Sequence, residues 1–332
     1  VDAPPTPKYS GLQGVYGSSS GRRLALARWV ADLKNPLTAR VAVNHLWRRH
    51  FGRPLVDTVF DFGLSGKSPS HPQLLDWLAA ELRQPSLILT AMEGHSSWRA
   101  GQPACAPWST KHLHRLIVTS QAYRRASTTD PANMAIDPDN RLLWRMPAQR
   151  MDAEVVRDSV LAVSETLDRT LGGPALPVTD GMSVPRRSLY FHHSPEEQMK
   201  FLKLFDGADP TECYSRHVSI VPHQALALFN SELTLVQSRK LAASLSHKQP
   251  ENSAFIEAAF EQVLSRPPTE MDRHICREFL RSRETVYRAA VARKATPGDA
   301  VNVNAPSTSP RLHARENLIH SLFNHHDFVT VK

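Results

Sequence analysis

Three cysteines among 332 residues, Cys105, Cys213 and Cys276, are far apart and odd in number. They make no Cys-x-x-Cys and no Cys-x-x-Cys-His, so the chain carries neither a thiol redox pair nor a covalent haem attachment motif. At most one disulfide can form, which leaves the compartment open. No run approaches the ~18 apolar residues of a membrane span. Also missing are Gly-x-Ser-x-Gly, His-Glu-x-x-His and a dinucleotide fingerprint. Gly66-Lys67-Ser68 imitates the end of a phosphate loop, but Asp61 stands where that loop needs its first glycine, and Pro69 would break the helix that must follow. His112 and His114 would face about 200° apart on a helix. His192 and His193, neighbours in an extended segment, would point to opposite sides, so neither pair chelates one metal. No metal and no cofactor are expected in this chain.

What is present is mostly helix. A hydrophobic content of 41% with 22% charged residues is that of a soluble globular protein, long enough for one large or two ordinary domains. The net charge of +8 is spread over every predicted helix rather than gathered in one patch. Nucleic acid is therefore not an expected partner. Binding of an anionic polymer is kept as an alternative, for which retention on a heparin column is the check.

The densest run of signals is Leu24–Leu82. Leu26, Val30 and Leu33 recur with helical spacing, so Leu24–Leu33 reads as an amphipathic helix. Asn35-Pro36 then caps a helix from Pro36 to about His50, which Gly52 ends. One face of it carries Leu37, Val41, Asn44, Arg48 and Phe51, with Arg40 and Trp47 flanking. Polar groups in an apolar stripe are costly unless hydrogen-bonded. Arg40 and Asn44 either tie the helix to backbone or to a carboxylate such as Asp61, the simpler reading, or line a ligand pocket. Ser70-His71-Pro72-Gln73 has capping-box spacing ahead of a stripe of Leu74, Leu75, Leu78 and Leu82.

Residues 84–107 lose helical periodicity and read as an atypical insertion or a disturbance of the reading frame. Ser109 or Thr110 caps the next helix, and Arg141–Arg145 reads as a short one. In Arg150–Asp158, Glu154 and Asp158 lie four apart on one helix face, whose buried stripe is Ala153, Val156, Val160, Val163 and Leu167. Paired carboxylates suit acid–base work or a divalent cation, yet Arg150 and Arg157 beside them favour a plain ion-pair network. That helix should end at Gly172-Gly173-Pro174. Arg186–Phe191 is the best strand candidate. Glu196–Asp206 should be a helix stopped by Gly207, and Pro222 opens a long helix broken near Asn230-Ser231. Ile256, Ala259, Phe260 and Val263 form a later stripe; Arg266–Thr269 breaks it, and Ile275 with Phe279 continues. Residues 294–310 have linker composition, and a last helix carries Leu318, Leu322 and Phe323.

In this order the chain resembles the planctomycete cytochrome-c-associated domain of unknown function, the PSD type. The resemblance rests on Asn35–Val41, Asn44, Trp47, Phe51-Gly52, Asp61-Phe62-Gly63, Pro69–Pro72 with Leu74–Leu78, Lys111–Ile117, Arg150–Asp158, Arg187–Tyr190, Pro222–Leu226, Arg266–Thr269 and Asn317–Val329. It departs at His45, where the family usually has Arg, and at 84–107, which replaces a short Gly-Trp-Ser connection. The first would weaken a polar network around Arg40. The resemblance implies the C-terminal part of a large exported protein in an extracytoplasmic setting, periplasmic or cell-surface. Its partners would be upstream domains of the same polypeptide, among them a haem c or carbohydrate-related domain, and carbohydrate itself. It brings no catalytic residues.

The expected fold is a mainly α, multi-helix single domain with at most a small two-stranded β element, placed near Arg187–Phe191. Residues 1–21 would be linker from an upstream region and 22–332 the domain. The polar set exceeds what a helical scaffold needs. Glu154, Asp158, Asp61 and His71 are the catalytic candidates. Arg40, Asn44, Arg150, Arg187, Arg216 and Gln224 are the ligand-binding ones, with Asp152 beside them. Their convergence in one cleft would mean a site, shared with upstream domains or belonging to a standalone enzyme. Their dispersal in pairs would mean a scaffold.

Overall fold

The computed structural model describes residues 21–86, 106–211, 216, 219, 222–293 and 306–331. Most of the expected insertion 84–107, of the linker 294–310 and of the leading linker 1–21 lies outside them. The architecture is mainly α, with twelve α-helices and one two-stranded sheet among the described residues. The chain forms two compact units, the first ending at Gln149 and the second running from Arg150 to Val331.

The first unit holds α1 (Arg22–Ala31), α2 (Pro36–Phe51), α3 (Pro72–Arg83), α4 (Thr110–Thr119) and α5 (Pro131–Ile136). The Asn35 side chain accepts the Leu37 amide at 2.9 Å, Pro36 fills the first helical position, and Gly52 ends α2 at φ 74°. Val43, Trp47 and Phe51 of α2 pack on Leu75, Leu78 and Leu82 of α3 and on Leu113 and Ile117 of α4. The buried face of α2 is rotated from the expected one. Ala39, Val43, Asn44, Trp47 and Phe51 are inside, while Leu37 is exposed. The rotation follows from Trp47 and Phe51, one turn apart and stacked at 4.2 Å, which turn their own edge inward.

Three local expectations are corrected here. α1 forms, but among the described residues it buries nothing, and Leu26 is 60% exposed. The capping box at Ser70 is not made: α3 starts one residue later, and Ser70 turns its amide and hydroxyl to the Leu55 carbonyl, at 2.8 and 3.3 Å. Arg141–Arg145 is turn rather than helix. Asp137 accepts the Arg141 and Leu142 amides at 2.9 and 2.8 Å, and Asn140 and Leu143 take positive φ, which a helix cannot propagate. Between α2 and α3 the chain turns tightly at Gly66, where an added Cβ would stand 2.3 Å from the Asp61 carbonyl oxygen. The Lys67 amide there donates to the Thr58 hydroxyl at 2.9 Å.

The second unit holds α6 (Ala153–Val163), α7 (Lys200–Leu204), α8 (Pro222–Asn230), α9 (Glu232–Lys248), α10 (Asn252–Leu264), α11 (Glu270–Arg293) and α12 (Pro310–Phe323). α12 packs along α9 and α11, with Leu318, Ile319, Leu322 and Phe323 against Leu241, Leu245 and Leu280. The α10 stripe is the expected one. The break between α8 and α9 falls at Ser231, whose hydroxyl accepts the Thr234 amide at 3.1 Å. On α11 Cys276 and Leu280 are inside and Ile275 is exposed, so that stripe sits one position round from the expected one. Arg315 of α12 is buried over the Phe255 ring, donates to the Pro250 carbonyl at 2.6 Å, and is brought by burial and by Arg311 to a pKa of about 10.

α6 ends at Val163, nine residues before the first of the glycines expected to stop it. Glu165 is left-handed at φ 59°, and the Thr166 and Leu167 amides both return to the Leu161 carbonyl, at 3.0 and 3.1 Å. Leu167 is therefore not on the helix. The expected helix Glu196–Asp206 shrinks to α7, which starts only at Lys200; its end is set where Asp206 turns left-handed and the Gly207 amide closes on the Leu202 carbonyl at 2.8 Å. Arg186–Phe191 is not a strand. Ser188–Tyr190 is a 3-10 turn, flanked by single bridges at Arg186 and Phe191, and the sheet is instead β1 (Gln149–Arg150) with β2 (Thr330–Val331).

Arg157, fully buried on α6, draws the chain leading into this turn inward. Its guanidinium donates to the carbonyls of Gly181 at 2.7 Å, Val184 at 2.8 Å and Arg186 at 2.8 Å, and lies 4.8 Å from the centre of the Phe191 ring. The Arg186 carbonyl, turned inward to this cation, is not offered to a neighbouring strand, and Tyr190 offers its own only at the single bridge to Leu176. Burial pulls the Arg157 pKa down while Asp158 supports it. Replacing Arg157 by Met should cost about 3–5 kcal/mol in urea unfolding, since three buried carbonyls and Asp158 lose their partner. Arg40→Met, which breaks the solvent-exposed pair with Asp76, should cost under about 1 kcal/mol in the same measurement.

Candidate functional site

α6 starts at the end of an extended approach, so Asp152 and Glu154 fall at its positive end. Beside them opens a cleft of about 400 Å³. Asp152, Glu154 and Val155 form one wall, Leu189 and Phe191 of the 3-10 turn a second, and Leu202 with Gly207 and Ala208 a third. His192, His193 and Lys203 also line it. Arg216 closes it: one guanidinium nitrogen is 2.5 Å from the Glu154 carboxylate and 3.7 Å from that of Asp152. Burial alone would push the Glu154 carboxyl up, but Arg216 and the Ala208 amide outweigh it and hold it below the usual carboxylate range. The cleft thus presents an ionised, hydrogen-bonded carboxylate between largely apolar walls.

Of the sequence candidates, Glu154, Arg216 and Asp152 come together here. Asp158 turns the other way, accepting the Ser188 amide at 2.8 Å and its hydroxyl at 2.7 Å, so it braces the turn rather than lining the cleft. The two carboxylates spaced four apart take separate partners. Arg187 is exposed beside that turn. Gln224 is buried and donates to Asp206 at 3.1 Å, and Arg150 donates to the Ser219 carbonyl at 3.0 Å. Asp206, Ser219, Lys203 and the two histidines were not among the sequence candidates. Asp206-Gly207 reads in sequence only as a helix stop, and nothing in its spacing shows that the carboxylate turns inward.

The candidates in the first unit are held in local pairs. Asn44 exchanges two bonds with Val56, donating to its carbonyl at 3.0 Å and accepting its amide at 2.9 Å. Arg40 meets Asp76 at 2.6 Å, not the expected Asp61. Asp61 accepts the Gly63 amide at 2.8 Å, and His71 lies 3.0 Å from the Ser70 hydroxyl. His112 is buried against Glu81 at 3.1 Å, whereas His114 reaches His50 at 2.7 Å. Among the described residues no group of three or more His, Cys, Asp or Glu could hold a metal ion. Burial pushes the Cys276 thiol up to about 11, which leaves it protonated and unreactive at neutral pH.

Residues 22–280 match the family described as PSD1, protein of unknown function (DUF1553). The chain belongs to this family. The PSD1 match takes in the helices of the first unit and the whole cleft, and stops short of α12. This PSD1 chain matches no curated protein and no solved structure. Among the described residues no helix is long and apolar enough to cross a membrane.

Two outcomes follow from this geometry. Asn44→Ala should destabilise the protein by about 2–3 kcal/mol in urea unfolding, because a buried amide and a buried carbonyl of Val56 both lose their partner. Glu154, with its folded pKa depressed, contributes stability that is present above its unfolded pKa of about 4.3 and is lost as pH falls through the lower, folded value. The stability gap between wild type and Glu154→Gln should therefore be full at pH 6 and shrink steadily below about pH 4.3. Urea unfolding across that range reads it directly.

Proposed function

We propose that this chain is a helical module of a larger exported protein, and that its second unit binds a small, neutral, hydroxyl-bearing ligand of the carbohydrate class in the cleft at Glu154. The observation that carries the reading is the grouping of Glu154, Asp152 and Arg216 between the apolar side chains of Val155, Leu189 and Leu202. A mostly apolar concavity with a few convergent polar groups is what a small-molecule site looks like. The charges answer one another, so an anionic ligand must compete with two carboxylates for Arg216. A neutral polyol instead donates its hydroxyls to the carboxylates and lays its carbon face on the leucines. Glu154 is held ionised, which suits it to accept hydrogen bonds and unsuits it as a proton donor at neutral pH. Binding is the role assigned to this unit.

The exported, extracytoplasmic setting and the company of upstream haem c or carbohydrate-related domains follow from the family resemblance and complete the proposal. In that arrangement the first unit, with its polar residues in local pairs, is scaffold.

Isothermal titration against a panel of mono- and oligosaccharides tests the reading. At least one should give saturable binding to wild type, and Glu154→Gln and Arg216→Met should each weaken it about tenfold or more, roughly 1.4 kcal/mol. Absence of saturable binding across the panel, or equal affinity in both variants, would overturn the proposal.

A further inference from the structure

Behind the cleft, the hydrogen bonds of three segments meet at one acidic side chain. α7 ends at Leu204, and Asp206 adopts the left-handed conformation, φ 57°, that swings Gly207 and Ala208 to the cleft wall. The corner leaves no room for change: a Cβ on Gly207 would stand 2.9 Å from the Leu202 carbonyl oxygen. From this corner Asp206 accepts the Ser219 amide at 2.7 Å. The Ser219 hydroxyl lies 2.8 Å from each of its oxygens, and Gln224 donates to it at 3.1 Å. Arg150 holds the other side of the same residue by donating to the Ser219 carbonyl at 3.0 Å. Two residues past Asp206, Ala208 lines the cleft with Glu154, and its amide helps hold that carboxyl below its usual range.

One turn therefore grips both halves of the charged pair in the cleft. It faces Glu154 across the cleft wall through Ala208. It reaches Arg216 through Ser219, which follows it by three residues in the sequence. Arg216 needs such an anchor. The 2.5 Å contact to Glu154 demands that a long, rotamer-rich side chain start from a fixed Cα. Burial pushes the Asp206 carboxyl up, yet the bonds from Ser219 and Gln224, with Arg150 near, bring it below its usual range. At neutral pH it is thus an acceptor only, which three converging donors require.

We infer that Asp206 is the positioning residue of the cleft: as a carboxylate it clamps Ser219 and so sets Arg216 against Glu154. It touches no ligand, and it acts on the site only through the turn and the segment that it holds. A plain brace between two loops would affect stability alone, whereas a positioning residue must also change the electrostatics at Glu154. For its importance this inference rests on the cleft being a binding site; its test does not.

The probe is the proton. The titration midpoint of the Glu154 side-chain carboxyl is read by carbon NMR, with no ligand present, in the full chain and in Asp206→Asn, Ser219→Ala and Arg216→Met. Arg216→Met should raise the midpoint and defines the full effect. Asp206→Asn turns an amide N–H toward donors, so it should raise the midpoint by more than half of that. Ser219→Ala, which keeps the amide bond to Asp206 and loses only the hydroxyl, should raise it by less, and serves as the second variant should Asp206→Asn fail to fold. An unmoved Glu154 midpoint in folded Asp206→Asn, or, where that variant does not fold, in Ser219→Ala, would overturn the inference. Failure to find a saccharide ligand would sink the binding proposal and leave this one standing.

Discussion

A fully buried guanidinium is the constraint from which the second unit takes its shape. Arg157 cannot leave water without partners, and the cost of an unpaired buried cation is several kcal/mol. The chain answers by turning the carbonyls of Gly181, Val184 and Arg186 inward and laying Phe191 over the cation. That one demand takes the Arg186 carbonyl out of any strand and engages Asp158. It also puts Leu189 and Phe191 on the wall of the cleft. The cleft is in this sense a by-product of satisfying Arg157. Arg315 repeats the device in the same unit, with the Pro250 carbonyl and the Phe255 ring in place of the turn.

The polar and charged residues consequently sort by environment rather than by type. Those with backbone partners, Arg157, Asn44 and Arg315, hold loops to helices in dry surroundings. Those in surface pairs, such as Arg40 with Asp76, contribute little. Glu154 and Arg216 differ from both groups, being paired yet facing a cavity. A paired charge that keeps access to solvent can exchange partners with something that enters, which a dry pair cannot do without unfolding.

Much of the helical framework could be read from local chemistry. Asn35-Pro36, Gly52, Ser109 and Ser231 act as caps or stops because their preferences are decided within four residues, and the α3, α10 and α12 stripes are periodic enough to be unambiguous. What escaped was decided at long range. The face of α2 depends on which aromatic pair turns inward, and the early end of α6 on Glu165 taking a left-handed conformation. The fate of Arg186–Phe191 depends on an arginine some thirty positions earlier. The site was half legible: Glu154, Asp152 and Arg216 stood out as surplus polar residues. Asp206, which organises them, looked like the tail of a helix.

The turn at Gly66 carries a lesson about motifs. Its glycine is demanded by a backbone oxygen 2.3 Å from where a Cβ would sit, and the lysine that follows has its amide on a threonine hydroxyl. Steric exclusion at one residue and turn closure at the next have assembled three letters that elsewhere cradle a nucleotide. Any pattern built on Gly-Lys-Ser alone would collect this corner among nucleotide binders, though its selective pressure is the clearance between two peptide planes. Letters converge where the underlying forces do not.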